Sequence, residues 1–172
     1  MPTRLNRLIT SAEIDAAVQR LASEITRDYR RKNPLLIGIL KGSFVFMADL
    51  VRRLDMPLEV DFIRLSSYGV GTESSGKIKI LGKLNQPVEG RHVIVVEDII
   101  DTGLTTAYFL RHIKRKKTAS AALCALSEKT TRRKVEVKID YLGFTVPNKF
   151  IVGYGIDYNE KYRNLPDICY ID

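Results

Sequence analysis

The chain of 172 residues contains no tryptophan, only two cysteines and only two histidines. So few sulfur and imidazole ligands give almost no support to a zinc site. Two cysteines also cannot supply the disulfide framework of a small secreted domain. Cys124 and Cys169 both stand in apolar sequence, which predicts two buried, reduced thiols.

Long apolar runs are also missing from the chain. No run approaches the roughly 20 residues needed to cross a bilayer. Residues 1–7 lack the apolar stretch of a secretory signal. We therefore expect a cytoplasmic location and no membrane partner.

The composition that remains is that of a globular protein, with 45% hydrophobic and 28% charged residues. At this length we expect one domain with a sizeable core. The formal net charge of +8 suits anionic substrates or nucleic acid. Because the basic residues bunch largely at predicted helix ends, we interpret them mainly as solvated faces and do not expect nucleic acid as the main partner.

Apolar runs alternate with segments of helical periodicity along the chain. Short all-apolar runs between helices indicate strands that are buried on both faces of a parallel sheet, joined by right-handed crossovers. The sequence therefore predicts an α/β fold with a central, mostly parallel sheet flanked by helices. The predicted strands are 35–40, 58–67, 77–81, 93–96 and 119–126, and the predicted helices are 11–30, 44–54 and 104–116.

The most informative segment runs from Val93 to Thr106. An apolar strand ends in the adjacent acids Glu97 and Asp98, and a third acid, Asp101, precedes a turn that opens a helix. Ligands of α/β folds bind beyond the carboxyl ends of the strands, and neighbouring carboxylates are costly to bury. We therefore expect the acid pair to face water, a metal or sugar hydroxyls.

The turn after these acids is suited to a phosphate. Free backbone N–H groups and the positive end of the helix dipole point outward at a helix start. Gly103 lets the backbone approach an anion, while Thr102, Thr105 and Thr106 add hydroxyl donors. A 5-phosphate bound here would place its ribose over the acid pair. By itself the pattern also fits an ordinary strand-turn-helix connection whose acids and threonines serve only as helix caps.

Residues 97–103 (EDIIDTG) resemble the phosphoribosyl pyrophosphate motif of type I phosphoribosyltransferases, in the form used by the hypoxanthine-guanine enzymes. The resemblance covers most of the chain, from about Leu35 to the end. It implies a single domain over residues 1–172 with the type I phosphoribosyltransferase fold. A small hood would come from the N-terminal segment and from about 141–172. The implied reaction transfers 5-phosphoribose from phosphoribosyl pyrophosphate to hypoxanthine or guanine, giving IMP or GMP and pyrophosphate.

The resemblance also assigns roles within this motif. Asp101 would be the catalytic general base that meets the attacking purine nitrogen. Mg²⁺ takes hard oxygen ligands and keeps several waters, so one ion would lie near the acid pair and a second near Asp157. Leu104 departs from those members of the family that have lysine at this position. The implied phosphoribose-binding residues are Glu97, Asp98, Asp101, Thr102, Gly103, Leu104 and Thr105.

Two further loops match the pyrophosphate and lid loops of the family. In the family, the loop matching Leu40, Lys41 and Gly42 binds pyrophosphate and can contain a cis bond. We therefore predict a cis bond between Leu40 and Lys41. Arg163 resembles the arginine that contacts pyrophosphate, where a planar guanidinium suits paired oxygens. The lid residues would be Ser67 and Tyr68, in a Gly/Ser-rich stretch at about 67–77 that closes over the reacting centre.

Purine recognition is implied near the end of the chain. Lys129 aligns with the lysine that bonds the six-oxo group of the base, although taken alone it is typical of a solvated lysine. Phe150 is similar to the aromatic residue that stacks on the base. The backbone of Ile151 and Ile156 lies where the family reads the base edge, and Asp157 resembles the ligand of the second Mg²⁺.

Other functions remain open on the sequence alone. An RNA-binding regulator could keep the nucleotide pocket; the basic charge favours it slightly, whereas Asp101 disfavours it. A phosphoribosyltransferase for another base is the second alternative, in which Lys129 facing an oxo group disfavours adenine. Hypoxanthine, guanine and xanthine are not separated. Because members of the family are usually dimers or tetramers, we expect a homodimer or homotetramer.

Overall fold

The computed structural model describes residues 4–68 and 77–171, with the side chains of 67, 68 and 77 left out. Two sheets and three helices account for the regular structure of these residues. In chain order the elements are β1 (Leu5–Ile9), α1 (Ser11–Tyr29), β2 (Leu35–Leu40), α2 (Phe44–Val51), β3 (Glu59–Tyr68), β4 (Lys77–Leu81), β5 (His92–Ile100), α3 (Leu104–Lys114), β6 (Ser120–Glu128), β7 (Tyr141–Thr145), β8 (Phe150–Val152) and β9 (Ile168–Ile171).

The larger sheet has the strand order β4-β3-β2-β5-β6-β7. Every neighbouring pair in it is parallel except β3 and β4, which form an antiparallel hairpin. The predicted α/β fold with a mostly parallel central sheet is therefore confirmed. Because β2, β5 and β6 are adjacent and parallel, their carboxyl ends meet at one edge of the sheet, and ligands of such folds bind at that edge.

The two faces of the sheet have separate cores. One core contains the buried side of α1 together with α2, and the other contains Phe109 and Ile113 of α3. Helix α1 begins with a capping box in which Thr10 and Glu13 exchange side-chain and backbone hydrogen bonds. Cys124 is buried as predicted, but Cys169 is only partly buried, and neither forms a disulfide.

The hood differs in detail from the prediction. It is a small antiparallel sheet of order β1-β9-β8, and neither β1 nor β9 was predicted as a strand. Residues 141–145, which were assigned to the hood, instead form β7 and extend the main sheet beside β6. The partners β1 and β9 are separated by nearly the whole chain, so local periodicity gave no sign of their pairing.

Element ends also differ from the prediction. Strand β5 was predicted to end at Val96 but continues to Ile100, so the acid pair lies inside the strand rather than beyond it. The predicted lid at 67–77 falls largely outside the described residues: the backbone of Ser67 and Tyr68 ends β3, and residues 69–76 are not described. Within the described ranges, the longest apolar stretches of helix are too short to cross a membrane.

Candidate active site

The candidate site lies where the loops after β2 and β5 meet the loop after β8. Two of the contacts between these loops are so close that only glycine fits at them. A methyl group added to Gly42 would overlap the carboxylate of Asp98, and one added to Gly155 would overlap the carbonyl oxygen of Gly42. Tertiary packing therefore brings the predicted pyrophosphate loop against the predicted ribose acids.

The loop after β2 has the predicted local geometry. The peptide bond between Leu40 and Lys41 is cis, as the sequence comparison with the family implied. Ser43 is fully buried, and its hydroxyl donates to the carbonyl oxygen of Ile39 at 2.7 Å. That hydrogen bond ties the loop to the end of the strand and holds Gly42 against Asp98.

The acid pair is less exposed than the sequence led us to expect. Glu97 is only 7% exposed, and the hydroxyl of Thr106 donates to its Oε1 at 3.3 Å. Burial, followed by the charge of Asp98, raises the pKa of Glu97, and burial also raises the pKa of Asp98. Glu97 therefore does not face water, whereas contact of the acid pair with a metal or with sugar hydroxyls stays a prediction. The Thr106 hydroxyl, predicted as a phosphate donor, is directed at Glu97 instead.

The predicted phosphate loop opens helix α3. Gly103 is the N-cap residue with φ of +82°, a conformation that side chains other than glycine adopt with strain. Thr102, Leu104 and Thr105 are partly exposed around it. The carbonyl oxygen of Thr102 accepts hydrogen bonds from the backbone N–H groups of residues 134 and 135, at 2.9 and 3.2 Å. The segment after β6 thus supports the phosphate loop from the side, a contact that the sequence did not reveal.

Asp101 stands at the start of this loop with its two oxygens in different environments. Oδ2 lies 3.3 Å from Nη1 of Arg132, whose side chain is 52% exposed. Oδ1 is buried and has no hydrogen-bond partner. An unpaired buried carboxylate oxygen is costly, so it is a position where a ligand donor would be stabilised. Arg132 was missed because the basic run around it was interpreted as a solvated face.

Lys129 is buried rather than solvated. Its side chain is 6% exposed, and burial lowers its pKa, an effect that the nearby charge of Asp101 partly opposes. Buried lysines are rare unless they are paired or functional. The structure thus excludes the solvated lysine and places Lys129 near Asp101.

The predicted purine-binding segment divides into exposed and buried parts. The ring of Phe150 is 51% exposed and packs edge-on against Tyr158, with centroids 5.3 Å apart. The side chains of Ile151 and Ile156 are buried, so only their backbone could meet a base. The N–H and carbonyl groups of Ile156 are both bonded to Gly153, but a carbonyl oxygen can accept a second hydrogen bond.

The predicted pyrophosphate cations meet in one ionic network. Arg163 donates to the carbonyl oxygen of Gly155 at 2.8 Å and lies 2.9 Å from Oδ1 of Asp157. Glu160 lies 2.9 Å from Nζ of Lys41 and 3.3 Å from Nη2 of Arg163. The structure therefore brings Lys41, Arg163 and Asp157 together, and it adds Glu160, which the sequence analysis did not single out.

A second contact anchors the same loop to helix α2. The hydroxyl of Tyr154 donates to Oδ2 of Asp49 at 2.5 Å. Burial and this hydrogen bond raise the pKa of Tyr154, so the hydroxyl stays protonated and remains a donor. The anchor holds the neighbouring Gly155 close to Gly42, and so it links the predicted pyrophosphate loop to the predicted base-binding segment.

The oxygen ligands at the site suit a magnesium ion that arrives with a phosphorylated substrate. Among the described residues, no three acidic, histidine or cysteine side chains form a complete metal site. Mg²⁺ is usually held by one or two carboxylates together with substrate phosphates and water. Asp98 and Asp157 are partly exposed and fit that pattern, whereas Glu97 is enclosed.

Comparison with known proteins shows the family of the chain. Residues 8–159 match the family described as phosphoribosyl transferase domain. Over 161 residues the chain is 49% identical to the hypoxanthine-guanine phosphoribosyltransferase of Streptococcus pneumoniae R6, and 47% identical to that of Bacillus subtilis 168. Each alignment covers 94% of this chain and 89% of the relative.

Longer relatives and solved structures match as well. The bifunctional protein TilS/HprT of Listeria monocytogenes is 51% identical over 161 residues, but this chain spans only about a quarter (25%) of its length. A hypoxanthine phosphoribosyltransferase structure from Staphylococcus aureus has a TM-score of 0.94 at 39% identity, covering 97% of this chain and 91% of that chain. A hypoxanthine-guanine phosphoribosyltransferase from Bacillus anthracis has a TM-score of 0.92 at 45% identity, covering 97% and 98%.

Proposed function

We propose, from the premise that this chain belongs to the phosphoribosyltransferase family, that it is a purine salvage enzyme. It transfers 5-phosphoribose from phosphoribosyl pyrophosphate to hypoxanthine or guanine and releases pyrophosphate. The observation that carries the proposal is the unpaired buried Oδ1 of Asp101 close to the buried Lys129. A purine with a ring N–H and a six-oxo group suits this pair, because the carboxylate of Asp101 can accept from the N–H and the ammonium of Lys129 can donate to the oxo group.

The 5-phosphate binds at the start of helix α3. The backbone N–H groups after Gly103 and the positive end of the helix dipole receive it, with Thr102, Leu104 and Thr105 around it. The ribose then lies over Asp98, whose carboxylate accepts from the sugar hydroxyls. Glu97 does not contact the sugar. It accepts the hydrogen bond from Thr106 and so holds the first turn of the helix in place.

The pyrophosphate leaves toward Lys41, Gly42 and Arg163. Bond breaking at the anomeric carbon runs ahead of bond making, so the ribose gains oxocarbenium character, as in glycoside hydrolysis. The cations stabilise the charge that develops on the leaving group. Mg²⁺, when bound, supplies further neutralisation of the pyrophosphate, with Asp98 and Asp157 as the nearest partly exposed carboxylates.

The purine is held from three sides. Lys129 donates to the six-oxo group, the exposed ring of Phe150 stacks on the base, and backbone groups of Ile151 and Ile156 meet its edge. Asp101 accepts the proton of the attacking nitrogen as general base. Ser67 and Tyr68 keep their proposed role in a lid that excludes water.

An RNA-binding regulator with the same fold is the second candidate. The formal net charge of +8 favours it, but a protein that only binds a nucleotide has no need of a general base such as Asp101. We propose a cytoplasmic location.

A steady-state assay tests the proposed function. Hypoxanthine, guanine, xanthine and adenine are offered separately with phosphoribosyl pyrophosphate and Mg²⁺, and nucleotide formation is followed. We expect turnover with the oxo-purines and little with adenine. If no base turns over while the protein still binds IMP or GMP, the enzyme proposal fails and RNA binding is measured next.

We also propose that the chain forms at least a homodimer. Strand β3 presents Val60 and Phe62, 39% and 38% exposed, on the same sheet face as α2, and Phe44 at the start of α2 is 44% exposed. The ring of Phe62 lies against Gly38, two residues before the pyrophosphate loop. A second copy of the chain would cover this apolar patch (Phe44, Val60 and Phe62) and stabilise that loop.

The substitution Phe62→Glu tests the dimer. We expect it to produce a monomer at micromolar concentration, because a charge in an apolar interface is left unpaired and desolvated. Light scattering after size-exclusion chromatography measures the mass. Leu5→Glu places the same charge at a 36% exposed position in the hood and should leave the mass unchanged. A dimeric Phe62→Glu variant would show that the subunits meet elsewhere.

A further inference from the structure

Glu160 occupies a backbone conformation that does not suit it. The residues Asn159 and Glu160 form a two-residue turn, since Tyr158 and Lys161 on either side exchange backbone hydrogen bonds at 3.1 and 3.0 Å. The φ angles of Asn159 and Glu160 are +50° and +62°. Turns with positive φ at both central positions favour Asn followed by Gly. Glutamate at the second position is disfavoured by its side chain, which points to a role for that side chain.

The carboxylate of Glu160 lies between two cations. It is 2.9 Å from Nζ of Lys41, which is 119 residues away, and 3.3 Å from Nη2 of Arg163. These contacts, with Lys41 the larger, lower the pKa of Glu160, so the group is charged at neutral pH. Its backbone N–H also donates to Oδ2 of Asp157 at 2.9 Å, which holds the turn beside the site.

We infer that Glu160 is a displaceable carboxylate that occupies the pyrophosphate-binding cations and competes with pyrophosphate for them. This inference rests on the proposed function, which assigns Lys41 and Arg163 to the leaving group. The oxygens of pyrophosphate need the same N–H donors that Glu160 uses. Binding therefore has to break both contacts, and Glu160 returns to the cations when the product leaves.

The exposure of the groups allows such an exchange. The side chains of Glu160 and Lys41 are 64% and 48% exposed, so their ion pair is weak enough to open in water. Arg163 is 18% exposed and keeps its contacts with Asp157 and Gly155 when Glu160 moves away. Glu160 therefore contacts one fixed cation, Arg163, and one movable cation, Lys41. While it does so, its carboxylate lowers the affinity of both cations for an incoming anion.

Calorimetric titration with pyrophosphate and Mg²⁺ tests the inference in the full chain. Glu160→Gln removes the charge and keeps the shape. Because the Glu160 carboxylate no longer competes for Lys41 and Arg163, we expect pyrophosphate to bind about three- to tenfold more tightly. Product inhibition by pyrophosphate should strengthen by the same factor, and KM for phosphoribosyl pyrophosphate should fall while KM for the purine stays unchanged.

Two further variants separate this role from general effects. Glu89→Gln makes the same change in net charge at an exposed position away from these cations, and it should leave pyrophosphate affinity unchanged. Glu160→Gly removes the carboxylate and suits the turn, so it should tighten binding like Glu160→Gln and raise the unfolding temperature. The glycine variant keeps the test valid if the glutamine variant folds poorly.

The outcomes are distinguishable. Unchanged or weaker pyrophosphate binding in both Glu160 variants, with Lys41→Met weakening it, would show that Glu160 only positions the cations, and the inference would be overturned. No binding to the wild-type chain, and no effect of Lys41→Met, would instead remove the proposed pyrophosphate site and the inference with it.

Discussion

Asp101→Asn should lower kcat for transfer to hypoxanthine by about 10²- to 10⁴-fold, the range attributed to a general base. The amide cannot accept the purine proton, although it keeps the size of the carboxylate. The oxygen that matters is Oδ1, which is buried and unpaired, whereas Oδ2 faces Arg132. Binding of phosphoribosyl pyrophosphate should change little, because the phosphate loop begins one residue later.

A matched control is Asp55→Asn, which makes the same chemical change at a side chain that is 98% exposed. It should keep wild-type kcat. The rate of the first turnover should be measured before the steady state, because slow product release could otherwise limit kcat and hide a change in the chemical step. If Asp101→Asn kept more than a tenth of the wild-type rate in that measurement, another group would have to accept the proton.

Lys129→Met should remove the preference for oxo-purines. A hydrogen bond to a charged group contributes about 1.5–3 kcal/mol, so kcat/KM with hypoxanthine should fall by about 10- to 100-fold. Adenine, which carries an amino group at the same position, gains nothing from Lys129 and should be affected far less. The ratio of kcat/KM for hypoxanthine to kcat/KM for adenine, measured under one set of conditions, should therefore be much lower in the variant than in the wild type.

The same substitution should stabilise the folded chain. Burial lowers the pKa of Lys129 in the folded state. Burying the charged ammonium therefore lowers the free energy of unfolding by its full amount at pH values below that lowered pKa. This destabilisation falls to zero as the pH rises to the ordinary pKa of lysine. At neutral pH, Lys129→Met removes the cost, so thermal unfolding should shift upward. The control Lys134→Met lies in the same segment but is exposed, and it should change neither selectivity nor stability. A Lys129→Met variant that still selects oxo-purines would exclude this lysine from base recognition.

Local sequence was sufficient for the parts of the molecule that depend on neighbouring residues. All-apolar runs between helical segments predicted the parallel sheet, and the acids followed by a Thr/Gly turn predicted the phosphate-type start of α3. The resemblance to the family implied the cis bond at Leu40–Lys41, which the structure contains. The family followed from the same motifs, because a strand end, a turn and a helix start are adjacent in the chain.

Tertiary structure decided which charges meet and which are enclosed. No local pattern predicts that Glu97 is buried against Thr106, that Arg132 lies beside Asp101, or that Glu160 reaches Lys41. The antiparallel pairing of β1 with β9 was equally hidden. These contacts form when the strands of the sheet pair and bring together loops that are distant in the chain. They depend on burial and on distances in space, which residue spacing does not encode. The sequence by itself therefore predicted the fold class and the family. Only the tertiary structure decided which ionic partners meet at the candidate site, because those partners lie far apart in the chain.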